Sequence, residues 1–210
     1  MYVAIEGAIG VGKTTLARLL QASFQAELLL EVFEENPFLS SFYADRERYA
    51  FQTQIFFLLS RYRQQIQAVP NILSRGDSLI SDYTFGKDAL FACTNLKGDE
   101  LEMYYRVHEA LAEKVPAPDI IVYLRADTEI LMQRIALRDR IYEREMDREY
   151  IDQINQAYEV FFGEQHQGTE VLPIDTNELD LVKIPGHLKW VENRLRQALM
   201  LAPFQQELPI

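Results

Sequence analysis

The chain has 210 residues, 48% hydrophobic and 25% charged, a balance that suits one globular domain spanning residues 1–210. A net charge of −11 argues against a nucleic-acid binder, which needs a basic footprint. Cys93 is the single cysteine, which excludes an internal disulfide, and no apolar run approaches the ~18 residues of a membrane span. The chain starts directly in a strand with no signal-type segment, so the expected compartment is the cytoplasm.

Tyr2-Val3-Ala4-Ile5 is a short apolar run of strand type. Glu6 follows, then Gly7-Ala8-Ile9-Gly10-Val11-Gly12-Lys13-Thr14-Thr15, then a helical stretch to about Ala26. Strand, G-x-x-x-x-G-K-T and helix stand in the order that a phosphate-binding loop requires. Glycines let backbone N–H groups wrap a phosphate chain, and the helix aims its positive end at the same anion. Lys13 adds a mobile charge, and the Thr14 hydroxyl is placed to ligate Mg²⁺.

Glu27 to Leu30 reads as a second buried strand, ending at Glu31. Pro37 is expected to open a helix containing Phe38, Leu39, Phe42 and Tyr43. A long helix follows from Arg46 to Val69, with Phe51, Ile55, Phe56, Leu59, Tyr62 and Ile66 as its apolar stripe and Pro70 as its stop. Leu79-Ile80 is a third strand core, ending at Ser81-Asp82. Thr84 to Leu96 reads as a short helix and turn, and Leu101 to Val115 as a helix. Asp119 to Leu124 is a fourth strand, Thr128 to Arg138 a helix, and Arg138 to Asp147 a charged connector. Arg148 to Phe162 is helical, Glu170 to Asp175 is a fifth strand, and His187 to Leu201 is a last helix. The alternation predicts a doubly wound α/β fold, a five-stranded parallel sheet with helices on both faces. Its active groups are expected at the carboxyl ends of the strands.

Several polar residues stand where such a fold does chemistry. Glu31, after the second strand, can take a proton from an attacking hydroxyl, although a solvated loop acid beside Glu34 and Glu35 has the same pattern. Asp82, after the third strand, has the placement of a carboxylate that holds Mg²⁺ or its waters, or of a simple turn aspartate. Arg134, Arg138 and Arg140 follow the fourth strand, either as a lid that clamps a migrating phosphoryl group or as a salt-bridged solvated face. Gln54 and Arg61 are seven residues apart on one helix face, where they can read a nucleobase edge or face solvent. His108, His166 and His187 have no metal spacing and read as structural or surface residues.

The segments A-I-E-G-A-I-G-V-G-K-T-T, E-V-F-E-E-N-P-F-L, F-Q-T-Q-I-F-F-L-L-S-R-Y, I-S-D-Y and R-I-A-L-R-D-R together resemble the deoxynucleoside kinase family, in particular its bacterial deoxyadenosine and deoxyguanosine kinases. The resemblance runs from about Tyr2 to Phe162. It implies a P-loop kinase with an arginine-rich lid, using MgATP to phosphorylate the 5′-hydroxyl of a deoxyribonucleoside, purine preferred. It implies that Glu31 is the base at the 5′-hydroxyl and that Tyr43 and Glu143 hold the sugar 3′-hydroxyl. Gln54 and Arg61 become base readers, Asp88 the partner of Arg61, and Arg134, Arg138 and Arg140 the lid arginines. A homodimer formed by helix packing is implied as well. Tyr83 departs from the pattern, because many members carry an arginine there. A cation near the 5′-oxygen is therefore missing or supplied from elsewhere, with Arg140 as a candidate. Asp82 is then a proton acceptor, a holder of Mg²⁺-bound water, or both. Two rival readings are a nucleoside monophosphate kinase of thymidylate type and a non-catalytic NTP-binding switch. The first needs extra acceptor-side cations, and the second leaves Gln54, Arg61 and Tyr43 unused.

Overall fold

The computed structural model describes residues 1–163 and 168–202, so His166 lies outside the described residues. The chain runs β1 (Tyr2–Glu6), α1 (Lys13–Phe24), β2 (Ala26–Leu29), a 3₁₀ turn (Phe33–Glu35), α2 (Leu39–Ala44) and α3 (Arg46–Ser74). It continues through β3 (Ser78–Ser81), α4 (Lys87–Asn95), α5 (Gly98–Ala112), β4 (Ile120–Arg125), α6 (Thr128–Arg138) and a second 3₁₀ turn (Ile141–Glu143). It ends with α7 (Arg148–Gly163), β5 (Glu170–Asp175) and α8 (Pro185–Ala198). The five strands are all parallel, in the order β2-β3-β1-β4-β5. β1 is buried along its full length and β4 from Ile120 to Leu124, as continuous apolar runs require when helices cover both faces. The chain leaves β1 toward one edge of the sheet and β4 toward the other, so the crevice opens at the carboxyl end of β1. No helix among the described residues is long and apolar enough to cross a membrane.

α3 departs from the sequence expectation in two ways. Its fully buried residues are Ala50, Thr53, Gln54, Leu58, Arg61, Gln65, Val69 and Ile72. The predicted apolar stripe is only half-buried, and Leu59 within it is 40% exposed. The helix has therefore turned its polar-bearing face inward, because that face borders a cleft that needs polar groups. The helix also passes through Pro70 and ends at Ser74. Pro70 is exposed while Val69 and Ile72 on either side are buried, so packing of the last turns outweighs the one lost backbone hydrogen bond. Pro37 lies in a turn, and α2 begins at Leu39.

Pro70→Ala restores a backbone donor on a solvent-facing position. It should stabilise the fold by about 1–3 kcal/mol, against ~3 kcal/mol for proline versus alanine in a free helix interior. A thermal melt should show a rise of roughly 2–4 °C per kcal/mol. An unchanged or lower Tm would mean that α3 is not continuous through residue 70.

Candidate active site

The loop between β1 and α1 carries Gly7, Gly10 and Gly12 at φ of 143°, 89° and 107°. A Cβ on Gly10 would stand 2.8 Å from Ile135 Cγ1 and 2.9 Å from the Leu131 carbonyl oxygen of α6. At Gly12 a Cβ would meet no neighbour, so only the backbone angle requires glycine there. The Lys13 ammonium donates to the carbonyls of Gly7 (2.7 Å) and Ala8 (3.1 Å). Burial, and then the charge of Lys87, push its pKa down to about 8.

Thr14 Oγ1 donates to Asp82 Oδ2 at 2.5 Å, and Asp82 Oδ1 accepts the Glu31 backbone N–H at 2.8 Å. Asp82 thus ties the end of β3 to α1 and to the segment after β2. Its oxygens and the Thr14 hydroxyl form a hard-oxygen pair beside Lys13. Mg²⁺ needs only one or two protein oxygens and keeps its waters, so these donors fit it.

Glu31 is held by two cations. Its Oε1 accepts Arg61 Nε at 2.8 Å and also Arg61 Nη2, while its Oε2 accepts Lys87 Nζ at 2.7 Å. Arg61 Nη1 pairs with Asp88, which is fully buried. Burial alone would raise the Glu31 pKa, but Arg61 and Lys87 outweigh it and hold the carboxyl far below the usual range. Glu31 is thus an ion-paired residue of the cleft lining.

These groups line one open cleft of about 830 Å³. Lys13, Thr14, Glu31 and Asp82 line it together with Tyr43, Thr53, Gln54 and Phe57. Gln54 is 3% exposed, and no described residue bonds its amide. Burial, then the neighbouring Tyr150 and Glu143, push the Tyr43 pKa well up, so its phenol stays protonated. Tyr43 stacks on Tyr142 with ring centroids 6.0 Å apart. The Arg138 guanidinium donates to both oxygens of Glu143, at 2.6 and 2.7 Å. Arg140 stands 3.6 Å from Glu143 and 3.9 Å over the Phe33 ring.

Not every expected residue reaches the cleft. Arg134 turns to the opposite side of the phosphate-binding loop, where it bonds Thr176 Oγ1 (2.9 Å), the Thr176 carbonyl (2.6 Å) and the Val11 carbonyl (3.3 Å). In this arrangement it braces the loop. Asp88 sits behind Arg61, outside the cleft lining. His108 stacks on Phe85 at 4.8 Å, and His187 Nδ1 accepts the Asp180 N–H at 3.0 Å, so both have structural partners. Lys87 is the residue that sequence reasoning missed. Its signal was present: a Lys-Asp pair opens α4, whose following residues are mostly apolar.

A parallel sheet with this loop, a threonine–aspartate pair and an adjoining open cleft has the layout of a nucleotide-dependent phosphotransferase site. Residues 3–199 match the deoxynucleoside kinase family. The chain is 33% identical over 198 residues to a deoxyguanosine kinase of Bacillus subtilis (strain 168), covering 90% of this chain and 96% of that one. It is 32% identical over 205 residues to a deoxyadenosine/deoxycytidine kinase of the same organism, covering 94% and 92%. A solved structure of deoxyadenosine kinase from M. mycoides with bound dATP superposes with a TM-score of 0.81 at 27% identity, covering 93% of this chain and 99% of that one. Another, with the products dCMP and dCDP, gives a TM-score of 0.81 at 26% identity, covering 94% and 100%. The chain belongs to the deoxynucleoside kinase family.

The two loop glycines should respond differently to substitution. Gly10→Ala adds a clash with α6 to the backbone strain and should cost about 2–4 kcal/mol. Gly12→Ala adds strain alone and should cost about 1–2 kcal/mol. Urea unfolding of both variants tests this; equal losses would remove the close approach between the loop and α6.

Proposed function

We propose that this deoxynucleoside kinase transfers the γ-phosphoryl of MgATP to the 5′-hydroxyl of a purine deoxyribonucleoside, with Glu31 at the acceptor oxygen. One observation carries the reading: a single cleft joins the phosphate-binding Lys13 and Thr14 to Glu31, Tyr43 and the buried, unbonded Gln54. The acceptor oxygen forms a bond to the γ-phosphorus. The bond from that phosphorus to the β–γ bridging oxygen breaks, and ADP leaves with the electron pair. The hydroxyl proton passes to Glu31 late, once the new bond has made the hydroxyl acidic. A carboxylate held this far down is a poor base toward a free alcohol, which is why the transfer has to be late.

Lys13 and the N-terminus of α1 hold the donor phosphates. Thr14 and Asp82 would hold Mg²⁺, which when bound neutralises phosphate charge. Both Asp82 oxygens are already engaged by Thr14 and the Glu31 N–H, which favours the metal-side role over that of base. Gln54 offers a donor and an acceptor to a base edge such as the adjacent N6 and N7 of adenine. The relatives named for deoxyguanosine and deoxyadenosine support a purine. Tyr43 and Glu143 take the sugar 3′-hydroxyl, and Arg138 and Arg140 close over the phosphates once substrates compete for Glu143. A homodimer in the cytoplasm belongs to the same proposal. The half-exposed apolar stripe of α3, Ile55, Phe56, Leu59, Tyr62 and Ile66, supports helix packing between copies.

Glu31→Gln should lower kcat by roughly 10²–10⁴-fold with ATP binding retained. Asp82→Asn should instead raise the Mg²⁺ concentration needed for half-maximal rate. If Asp82→Asn abolishes turnover at saturating Mg²⁺ while Glu31→Gln is mild, the base is Asp82. Comparing kcat/KM for the four deoxyribonucleosides tests the acceptor. A tenfold preference for thymidine or deoxycytidine would defeat the purine assignment.

A further inference from the structure

The departure at Tyr83 leaves a question of charge. Tyr83 is fully buried and donates its hydroxyl to Gln64 Oε1 at 2.7 Å, so it contributes no cation to the cleft. Four cations other than Lys13 line the cleft: Arg61, Lys87, Arg138 and Arg140. Arg61 is locked between Glu31 and Asp88. Arg138 and Arg140 are both engaged by Glu143, on the lid. Lys87 alone among these four meets Glu31 with an ammonium that has donors to spare. A lysine carries three donors, and only the bond to Glu31 Oε2 is made.

The occupancy of the Glu31 oxygens fixes where an acceptor binds. Oε1 already accepts two Arg61 donors. Oε2 accepts only Lys87, which leaves it a lone-pair site. A hydroxyl that donates to this site comes to rest beside the Lys87 ammonium. The chain geometry explains how residue 87 reaches there. Side chains of a helix lean toward its N-terminus, so the first residue of α4 projects back over the turn that precedes it. Its Nζ lies 5.7 Å from the centroid of the Tyr83 ring, whose face favours a cation. The Thr84 amide and hydroxyl, bound to Glu6 at 2.5 and 2.8 Å, anchor that turn to the end of β1.

We propose that Lys87 is the catalytic cation on the acceptor side: it binds Glu31 Oε2 at rest and contacts the attacking oxygen and the transferring phosphoryl group during transfer. This rests on the assignment of Glu31 to the acceptor oxygen. Lys13 and Lys87 then flank the migrating group from the donor and acceptor sides. Anionic charge between the two ammonium groups offsets their mutual repulsion.

The test compares Lys87→Met, Lys87→Gln and Lys87→Arg with the wild-type chain, using MgATP and the deoxyribonucleoside that the wild type turns over fastest. Lys87→Met should lower kcat by about 10²–10³-fold, the scale for losing one transition-state stabiliser, with little change in nucleoside KM. Lys87→Arg should recover at least about tenfold of that loss, as a restored charge predicts. Lys87→Met should also fail to trap MgADP with aluminium fluoride and nucleoside while still binding MgADP. Lys87→Gln keeps a donor for Glu31 and loses only the charge, so it carries the comparison if Lys87→Met does not fold. A folded Lys87→Gln or Lys87→Met within threefold of wild-type kcat would overturn the proposal. So would equal losses in kcat and nucleoside binding with no recovery in Lys87→Arg, the pattern of a merely structural ion pair. A harmless Glu31→Gln removes the underlying assignment, whereas harmless substitutions at Lys87 remove this inference alone.

Discussion

Three neighbouring parallel strands deliver carboxylates to one edge of the sheet: Glu6 at the end of β1, Asp82 just after β3 and Glu31 just after β2. Like charges gathered in a partly buried place repel strongly, so the site has to neutralise each one. It does so in two different ways. Glu6 takes only neutral donors: the Thr84 amide and hydroxyl, the Tyr158 hydroxyl at 3.1 Å and the Gly7 amide at 3.4 Å. Asp82 takes the Thr14 hydroxyl and the Glu31 amide. Glu31 alone takes full cations, Arg61 and Lys87. A carboxylate satisfied by neutral dipoles of the fold is held in place. One satisfied by mobile cations can exchange them for a substrate. The division matches the parts proposed for them, with Glu6 as anchor, Asp82 as support for the metal and Glu31 at the acceptor.

The Glu6 anchor also explains why α4 can carry so much of the site. Its first turn supplies Lys87 to Glu31 and Asp88 to Arg61, two adjacent residues of opposite sign. A shift of this turn would disturb both pairs together. Glu6 prevents it by tying the residue after Tyr83 to the strand from which the phosphate-binding loop starts. Donor loop and acceptor cation are thereby referenced to the same rigid strand, which is what a transfer between two bound molecules needs.

What the sequence discloses is local, and what it withholds is set by pairing. The phosphate-binding loop, all five strands and the helix between Thr128 and Arg138 were legible because their signals are contiguous. Gln54 and Arg61 were legible because seven residues return a helix to the same face. The Lys87–Glu31 bond joins residues 56 apart and exists only because β3 sits beside β2, so no local pattern announces it. α3 misled for a related reason. An amphipathic pattern identifies the apolar face, but not which face the tertiary structure buries. Here the cleft claimed the face with Thr53, Gln54 and Arg61 and left the apolar stripe half-exposed. Arg134 shared its helical spacing with Arg138, yet the carbonyls after β5 captured it on the far side of the loop.

The same arrangement of charge separates substrate from product. A deoxyribonucleoside is neutral, so it can approach Glu31 without repulsion, and the protein's net charge of −11 does not hinder it. Transfer turns it into a monophosphate that carries about two negative charges at neutral pH. In the proposed transfer that new charge would form beside Glu31 and Asp82, which both line the cleft. Lys13, Lys87, Arg138 and Arg140 line the same cleft and would offset the repulsion while the migrating group lies among them. In the structure Arg138 and Arg140 pair with Glu143, and Arg61 and Lys87 with Glu31. A product phosphate would have to compete with those carboxylates for the same cations, which favours its release.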